Sequence, residues 1–223
     1  MNLSSLLKWA GVALLALLAS GCATRQPYDY SAFRRAQPKS ILVLPPVNKS
    51  PDILASNSLL AHMSMPLAEA GYYVFPVALV TRTFKENGLN SPDEMHAVST
   101  AKLREIFGAD AALYVEITEY GTSYAVIRSD TVVAAKARLL DLRSGETLWE
   151  GSARASSGEG QSNNNGLIGA LVKAAIDQIV NTIGEKGHEI AGITSQRLLS
   201  PGPSGILVGP RSPEYGKDTG NRP

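Results

Sequence analysis

The pattern of apolar and polar positions divides the chain into segments of different character. The short apolar run Ile41–Leu44 ends at two prolines, which predicts a strand buried on both faces of a sheet. Residues 53–70 then show helical spacing, with Ile53 and Leu54 on the apolar face, and residues 72–75 form a second apolar run. Together these segments predict a β-α-β unit at the start of the sheet.

The period of the pattern changes to two in the second half of the chain. Helical signals over 77–86 and 100–107 are followed by alternation over 111–120 and, on both sides of a break at Ser129-Asp130, over 124–142, which predicts an antiparallel meander. The clearest amphipathic helix is predicted over 167–183. The sequence therefore predicts an α/β (α+β) fold: a single mixed sheet with an N-terminal βαβ unit, a C-terminal antiparallel meander and packing helices.

A tight turn is predicted between two strands of the meander. The stretch from Asp141 to Trp149 reads Asp-Leu-Arg-Ser-Gly-Glu-Thr-Leu-Trp. Gly145 suits a turn that needs a positive φ, and the Trp149 ring can fill core while its N–H finds an acceptor. We interpret Asp141, Gly145 and Trp149 as a structural motif.

The N-terminus has the anatomy of a lipoprotein signal peptide. Lys8 precedes an uncharged apolar run, and Leu-Ala-Ser-Gly leads into Cys22, the only cysteine. The run is shorter than the ~20 apolar residues of a membrane-spanning helix, which favours cleavage. We predict that Cys22 becomes the N-terminal residue and that membrane lipid is attached to it. Ala23, where inner-membrane lipoproteins generally carry Asp, favours the outer membrane of a Gram-negative bacterium, with the chain facing the periplasm.

Composition gives the expected domain organisation. The chain is divided into a removed signal peptide (1–21), a tether (22–39), an α/β domain (40–190) and a Pro/Gly-rich, loosely docked tail (191–223). Removal of the signal peptide takes away one basic residue, Lys8, so 20 basic residues face 20 acidic ones. This balance argues against nucleic-acid binding, and a lone cysteine leaves no internal disulfide.

Motifs for chemistry are missing from the sequence. His62, His96 and His188 fall in three separate segments, without the spacing of a zinc site. Neither a phosphate-binding loop nor a Gly-x-Ser-x-Gly nucleophile motif is present. We therefore predict no catalytic residues, no bound metal and no cofactor.

Three stretches carry a family likeness: ILVLPPVNKSPD at 41–52, GADAALYVEITEY at 108–120 and LLDLRSGETLWEG at 139–151. They resemble the neisserial-antigen-type lipoproteins once designated domain-of-unknown-function family seven-nine-nine. The order of elements is similar to the fold shared by the TolB N-terminal domain, LpoB and the periplasmic part of CsgG. The resemblance implies a TolB-N-terminal-like fold and a periplasm-facing accessory protein that works beside CsgG-like secretion lipoproteins.

Several functions stay open at the level of sequence. The leading hypothesis is a non-enzymatic accessory lipoprotein that binds an envelope assembly or secretion protein, or activates a cell-wall synthase. The second is a CsgG-like pore or ring, because the hairpin 120–140 has strands near the ~9–11 residues of a transmembrane strand. Arg128, Lys136 and Arg138 interrupt its alternation and favour a soluble hairpin. A hydrolase with an unrecognised site is the third, and the sequence gives neither the partner nor the oligomeric state.

Overall fold

The computed structural model describes residues 28–125, 128–159 and 186–217. Cys22 and the helix predicted over 167–183 lie outside the described residues. The helices are α1 (Ser31–Ala36), α2 (Ala55–Glu69), α3 (Val77–Glu86), α4 (Pro92–His96), α5 (Thr100–Phe107) and α6 (Lys186–Leu199). The strands are β1 (Ser40–Val43), β2 (Val47–Asn48), β3 (Tyr73–Val74), β4 (Ala111–Ala125), β5 (Arg128–Asp141) and β6 (Thr147–Ser156).

All six strands belong to one mixed sheet. Its order is β3-β1-β4-β5-β6, with β2 pairing further along β4. Strands β3, β1 and β4 are parallel, whereas β4, β5 and β6 form an antiparallel meander. The predicted fold class, a single mixed sheet that begins with a βαβ unit and is packed by helices, is confirmed.

The two faces of the sheet are covered unequally. One face packs along its length against α2 and α6, through apolar residues such as Leu113, Ile117 and Val133. The other face carries α3, α4 and α5, which pack on Leu42, Leu44 and their neighbours. On this second face five side chains of β5 and β6 are exposed and lie outside the core under α3, α4 and α5: Lys136, Arg138, Glu150, Ser152 and Arg154.

The start of α2 differs from the prediction. Ile53 is 88% exposed and Leu54 is 63% exposed, although the spacing placed both on the apolar face. The helix begins only at Ala55, because the Asp52 carboxylate accepts the amide of Leu54 and holds the preceding residues in a turn. No helix in the described part of the chain combines the length and apolar character needed to cross a membrane.

The segment before β1 is docked rather than a free tether. Residues 31–36 form α1, and the rings of Tyr30 and Phe33 are each 4% exposed. The expectation of a tether over 22–39 is therefore wrong for the described part of that segment, residues 28–39. The physical reason is that its aromatic side chains join the main core.

The C-terminal segment is docked as well. Residues 191–199 belong to α6, so the expected boundary at 190 falls inside a helix. Beyond it, Ile206 is fully buried, and the hydroxyls of Tyr30 and Tyr72 donate to the carbonyls of Gly205 and Leu207 over 2.5 Å each. The prediction of a loosely docked tail over 191–223 is thus wrong for residues 191–217. Proline and glycine prevent regular structure there without preventing attachment.

A candidate binding cleft on the open face of the sheet

The uncovered part of the sheet forms a cleft of about 600 Å³. Its floor consists of the outward side chains of β4, β5 and β6, and α4 and β2 form one wall. The residues whose chemistry matters most in it are His96, Tyr114, Glu116, Lys136, Arg138 and Glu150. The five that lie on strands share one face because side chains alternate along a strand and the three strands are in register.

Helix α4 places His96 at the wall of the cleft. Its first turn is fixed by a capping box, in which the Ser91 hydroxyl accepts the amide of Glu94 and the Glu94 carboxylate accepts the amide of Ser91. At the other end, His96 Nε2 lies 2.9 Å from the Pro45 carbonyl oxygen. A carbonyl only accepts, so Nε2 carries the hydrogen. Burial is the largest cause that lowers the pKa of His96, which keeps the ring neutral at pH 7.

Tyr114 lies beneath that imidazole. The two rings meet edge to face, with centroids 5.2 Å apart. Tyr114 is only 9% exposed, yet its hydroxyl has no hydrogen-bond partner within the described ranges. Burial raises the pKa of Tyr114, so the hydroxyl keeps its proton and is available as a donor to the cleft.

Four charged side chains line the cleft together with Tyr114. Glu116 is the cross-strand neighbour of Lys136, and Arg138 is the cross-strand neighbour of Glu150. All four are exposed, and among the described residues none of them forms an ion pair within 4 Å. Further along the same face, Arg154 and Glu119 do approach to 3.5 Å. The cleft therefore presents two positive and two negative groups that are available to a ligand.

A second cluster brings together residues that the sequence left apart. Tyr120 donates to Ser58 over 2.8 Å, Ser58 Oγ lies 3.0 Å from His188 Nδ1, and the rings of His62 and His188 are 4.2 Å apart. These side chains come from β4, α2 and α6. The hydrogen bonds run from Tyr120 through Ser58 to His188 and tie the start of α6 to α2, and Ser58 is only 8% exposed. The sequence carried no signal for the pair, since His62 and His188 are 126 positions apart.

The motif predicted around the Asp141–Trp149 turn lies where β5 ends and β6 begins. Asp141 Oδ2 accepts from the Ser144 amide over 3.2 Å and from its hydroxyl over 2.9 Å, and Gly145 has φ +75°. Trp149 is 1% exposed, and its Nε1 donates to the Ser204 carbonyl over 3.0 Å. Its ring faces the helix-covered side of the sheet, opposite the cleft. In the described part of the chain no three His, Cys, Asp or Glu residues are grouped as metal ligands would be.

Comparisons with known proteins agree on one family. The family model described as "Putative lipoprotein GNA1162-like" matches residues 28–211. The "Putative lipoprotein NMB1124/NMB1162" of Neisseria meningitidis serogroup B is 49% identical over 200 residues, which cover 89% of this chain and 93% of that protein.

Solved structures give one useful likeness. The crystal structure of lipoprotein GNA1162 from Neisseria meningitidis is 52% identical, with a TM-score of 0.52, and covers 65% of this chain and 100% of its own. The LpoB C-terminal domain of Salmonella enterica is 20% identical, with a TM-score of 0.39, over 57% of this chain and 98% of its own. An alignment as loose as the second does not establish a common role.

Proposed function

The chain belongs to the GNA1162-like lipoprotein family, and from this premise we propose that it is a lipid-anchored, non-catalytic accessory protein of the bacterial envelope. It binds an envelope assembly or secretion partner through the open face of its sheet. The resemblance to neisserial-antigen-type lipoproteins is confirmed at the level of this family, under the name GNA1162-like rather than seven-nine-nine.

The observation that carries the proposal is the unequal covering of the sheet. The side chains of the cleft stand on strands whose opposite face is packed against α2 and α6, so their backbone positions are fixed. Groups held on a rigid element lose little entropy when a partner binds. The cleft also keeps four charges free of ion pairs within 4 Å in the described structure. A rigid surface with free charges favours recognition of a partner.

The proposed anchor fits the position of the N-terminal end of the domain. Tyr28 is fixed on β6 because its hydroxyl accepts the amide of Glu150 over 2.8 Å. Cys22 lies six residues earlier, and six extended residues span at most about 20 Å. A lipid on Cys22 therefore holds the domain close to a membrane, with ~0.8 kcal/mol from each buried methylene of the acyl chains.

Cys22→Ala is expected to move the protein from the membrane to the soluble periplasmic fraction. Retention of the variant in carbonate-washed membranes would contradict the anchor.

Partner binding is tested by site-specific crosslinking in cells. A photo-crosslinking amino acid replaces the exposed Ser152, which lines the cleft, or, as a control, Glu86 on α3. We expect one discrete adduct from position 152 and none of the same mass from position 86. Adding Lys136→Glu, which reverses one charge of the cleft, should reduce the adduct. Identical adducts from both positions, or no adduct from position 152, would overturn the proposal.

A further inference from the structure

We propose that the cleft binds an extended peptide segment of mixed charge, and that Tyr114 and Arg138 together hold a carboxylate of that segment. The inference rests on the proposed function and names the chemistry of the partner. It is carried by the unpartnered Tyr114 hydroxyl, by the free charges around it and by an open stretch of the β6 edge.

The Tyr114 hydroxyl marks where the acceptor lies. The Tyr114 side chain is largely buried, but its hydroxyl opens into the cleft and has no partner among the described residues, so a donor on a fixed ring is available to a ligand. Tyr114 is also the direct cross-strand neighbour of Arg138, on the same face of the sheet. The planar guanidinium offers two parallel N–H donors, which match the two oxygens of a carboxylate. One carboxylate placed between these two side chains satisfies both.

The remaining charges decide what accompanies the carboxylate. Glu116 and Glu150 line the same cleft as Lys136 and Arg138, and the neutral His96 adds no charge, so the net charge is zero. A ligand with several negative charges would approach both glutamates without compensation. A segment that carries a basic group beside its carboxylate meets each charge of the cleft with the opposite one. The charge pattern therefore favours a mixed-charge peptide over phosphate or an anionic membrane.

The edge of β6 provides for an extended backbone. The Glu150 amide donates outward to Tyr28, and the Arg154 carbonyl accepts outward from Arg197 over 2.8 Å. Backbone groups alternate in direction along a strand, so the amide and carbonyl of Ser152 point outward as well. Neither has a partner among the residues that the structure describes. Ser152 borders the cleft, so a segment paired there projects alternate side chains over its charged floor.

The test is a binding measurement with the full-length lipidated protein in detergent. The probe is a fluorescent heptapeptide, Ser-Lys-Thr-Glu-Thr-Lys-Ser, followed by anisotropy, with a second peptide in which glutamine replaces glutamate. We expect Tyr114→Phe to weaken binding of the first peptide about tenfold, as for one hydrogen bond to a charged group, and Arg138→Gln to weaken it at least as much. The matched controls Tyr215→Phe and Arg82→Gln, at exposed positions outside the cleft, should leave binding unchanged.

Three results would overturn the inference: no binding of the first peptide, equal binding of the glutamine peptide, or no effect of Tyr114→Phe. Competition by inorganic phosphate or phosphatidylglycerol vesicles as strong as by unlabelled peptide would overturn it as well, because the site would then bind anions in general. If position 152 crosslinks a partner but Tyr114→Phe leaves peptide binding unchanged, only this inference fails. If the peptide binds as expected but no partner is crosslinked, the proposed function fails instead.

Discussion

The packing of Trp149 depends on the absence of a side chain at Gly151. A Cβ at Gly151 would lie 2.2 Å from Cζ2 and 2.5 Å from Cη2 of the indole. The indole is 1% exposed and is held by the hydrogen bond from its Nε1 to the Ser204 carbonyl. We predict that Gly151→Ala lowers the free energy of unfolding by about 1–3 kcal/mol, as overpacked cores do, measured by urea denaturation.

Two further variants separate this clash from a general effect of alanine. Gly202→Ala should be nearly neutral, because no atom lies within 4 Å of the Cβ it adds. Combining Gly151→Ala with Trp149→Leu should cost less than the sum of the two single changes, since the smaller side chain removes the clash. Additive losses in this double-mutant cycle would contradict the explanation.

The neighbouring rings of His62 and His188 predict a stability that depends on pH. Burial is the largest cause that lowers the pKa of His62, and the neighbouring His188 lowers it further. The unfolded chain, with a pKa near 6.5, then binds a proton more readily than the folded one. The contribution of the neutral His62 to the free energy of unfolding is complete above pH 6.5, and it is lost as the pH falls below 6.5 toward the pKa of the folded state.

We therefore predict that the free energy of unfolding falls from pH 7.5 to 5.5 and that His62→Gln makes this dependence shallower. His96→Gln should flatten it separately, because burial also lowers the pKa of His96 and the two rings belong to different elements. The measurement is a series of urea titrations across this range. An unchanged pH dependence in His62→Gln would show that the ring titrates as it does in the unfolded chain.

At the scale of elements, the helices and strands that the sequence predicted are those with a clear periodic pattern of apolar residues, and those without such a pattern were missed. The helices α3 and α5 have clear periods and were predicted at their bounds. The antiparallel meander was predicted as well, although β5 begins at Arg128, before the predicted break at Ser129-Asp130. Strand β2 has two residues and exists only because Val47 and Asn48 pair with β4. Helix α6 was not predicted. One reason is that its buried face includes Thr194 and Ser195, 0% and 1% exposed, which interrupt the apolar pattern. Their hydroxyls meet backbone carbonyls, a tertiary fact that spacing does not show.

The capping box of α4 gives a prediction for a single element. Ser91→Ala removes the acceptor of the Glu94 amide and should destabilise this five-residue helix by about 1 kcal/mol. The expected result is faster hydrogen exchange of the α4 amides, with weaker peptide binding because α4 carries His96. Ser99→Ala, which removes the equivalent cap of α5, is the matched control. Faster exchange confined to α5 in Ser91→Ala would contradict the prediction.

At the scale of the whole molecule, the two ends of the described chain close the same core. Tyr30 of the N-terminal segment, Tyr72 and Trp149 each donate a hydrogen bond to a carbonyl in the stretch 204–207. Composition alone indicated a tether and a tail, because proline and glycine predict the lack of regular structure but not the lack of contacts.

The cleft was equally hidden from the sequence. Its residues are found by alternation, but which half of a face stays uncovered depends on where α3, α4 and α5 end.

A stop codon after Ser200 tests this closure. The truncated chain loses the buried Ile206 and leaves the donors of Tyr30, Tyr72 and Trp149 without their carbonyls. One buried isoleucine and three net hydrogen bonds lead us to expect a loss of at least about 3 kcal/mol of unfolding free energy, measured by urea denaturation. Truncation after residue 217, beyond these contacts, is the control and should cost little. Equal stability of the two truncated chains would mean that the C-terminal segment covers the core without stabilising it.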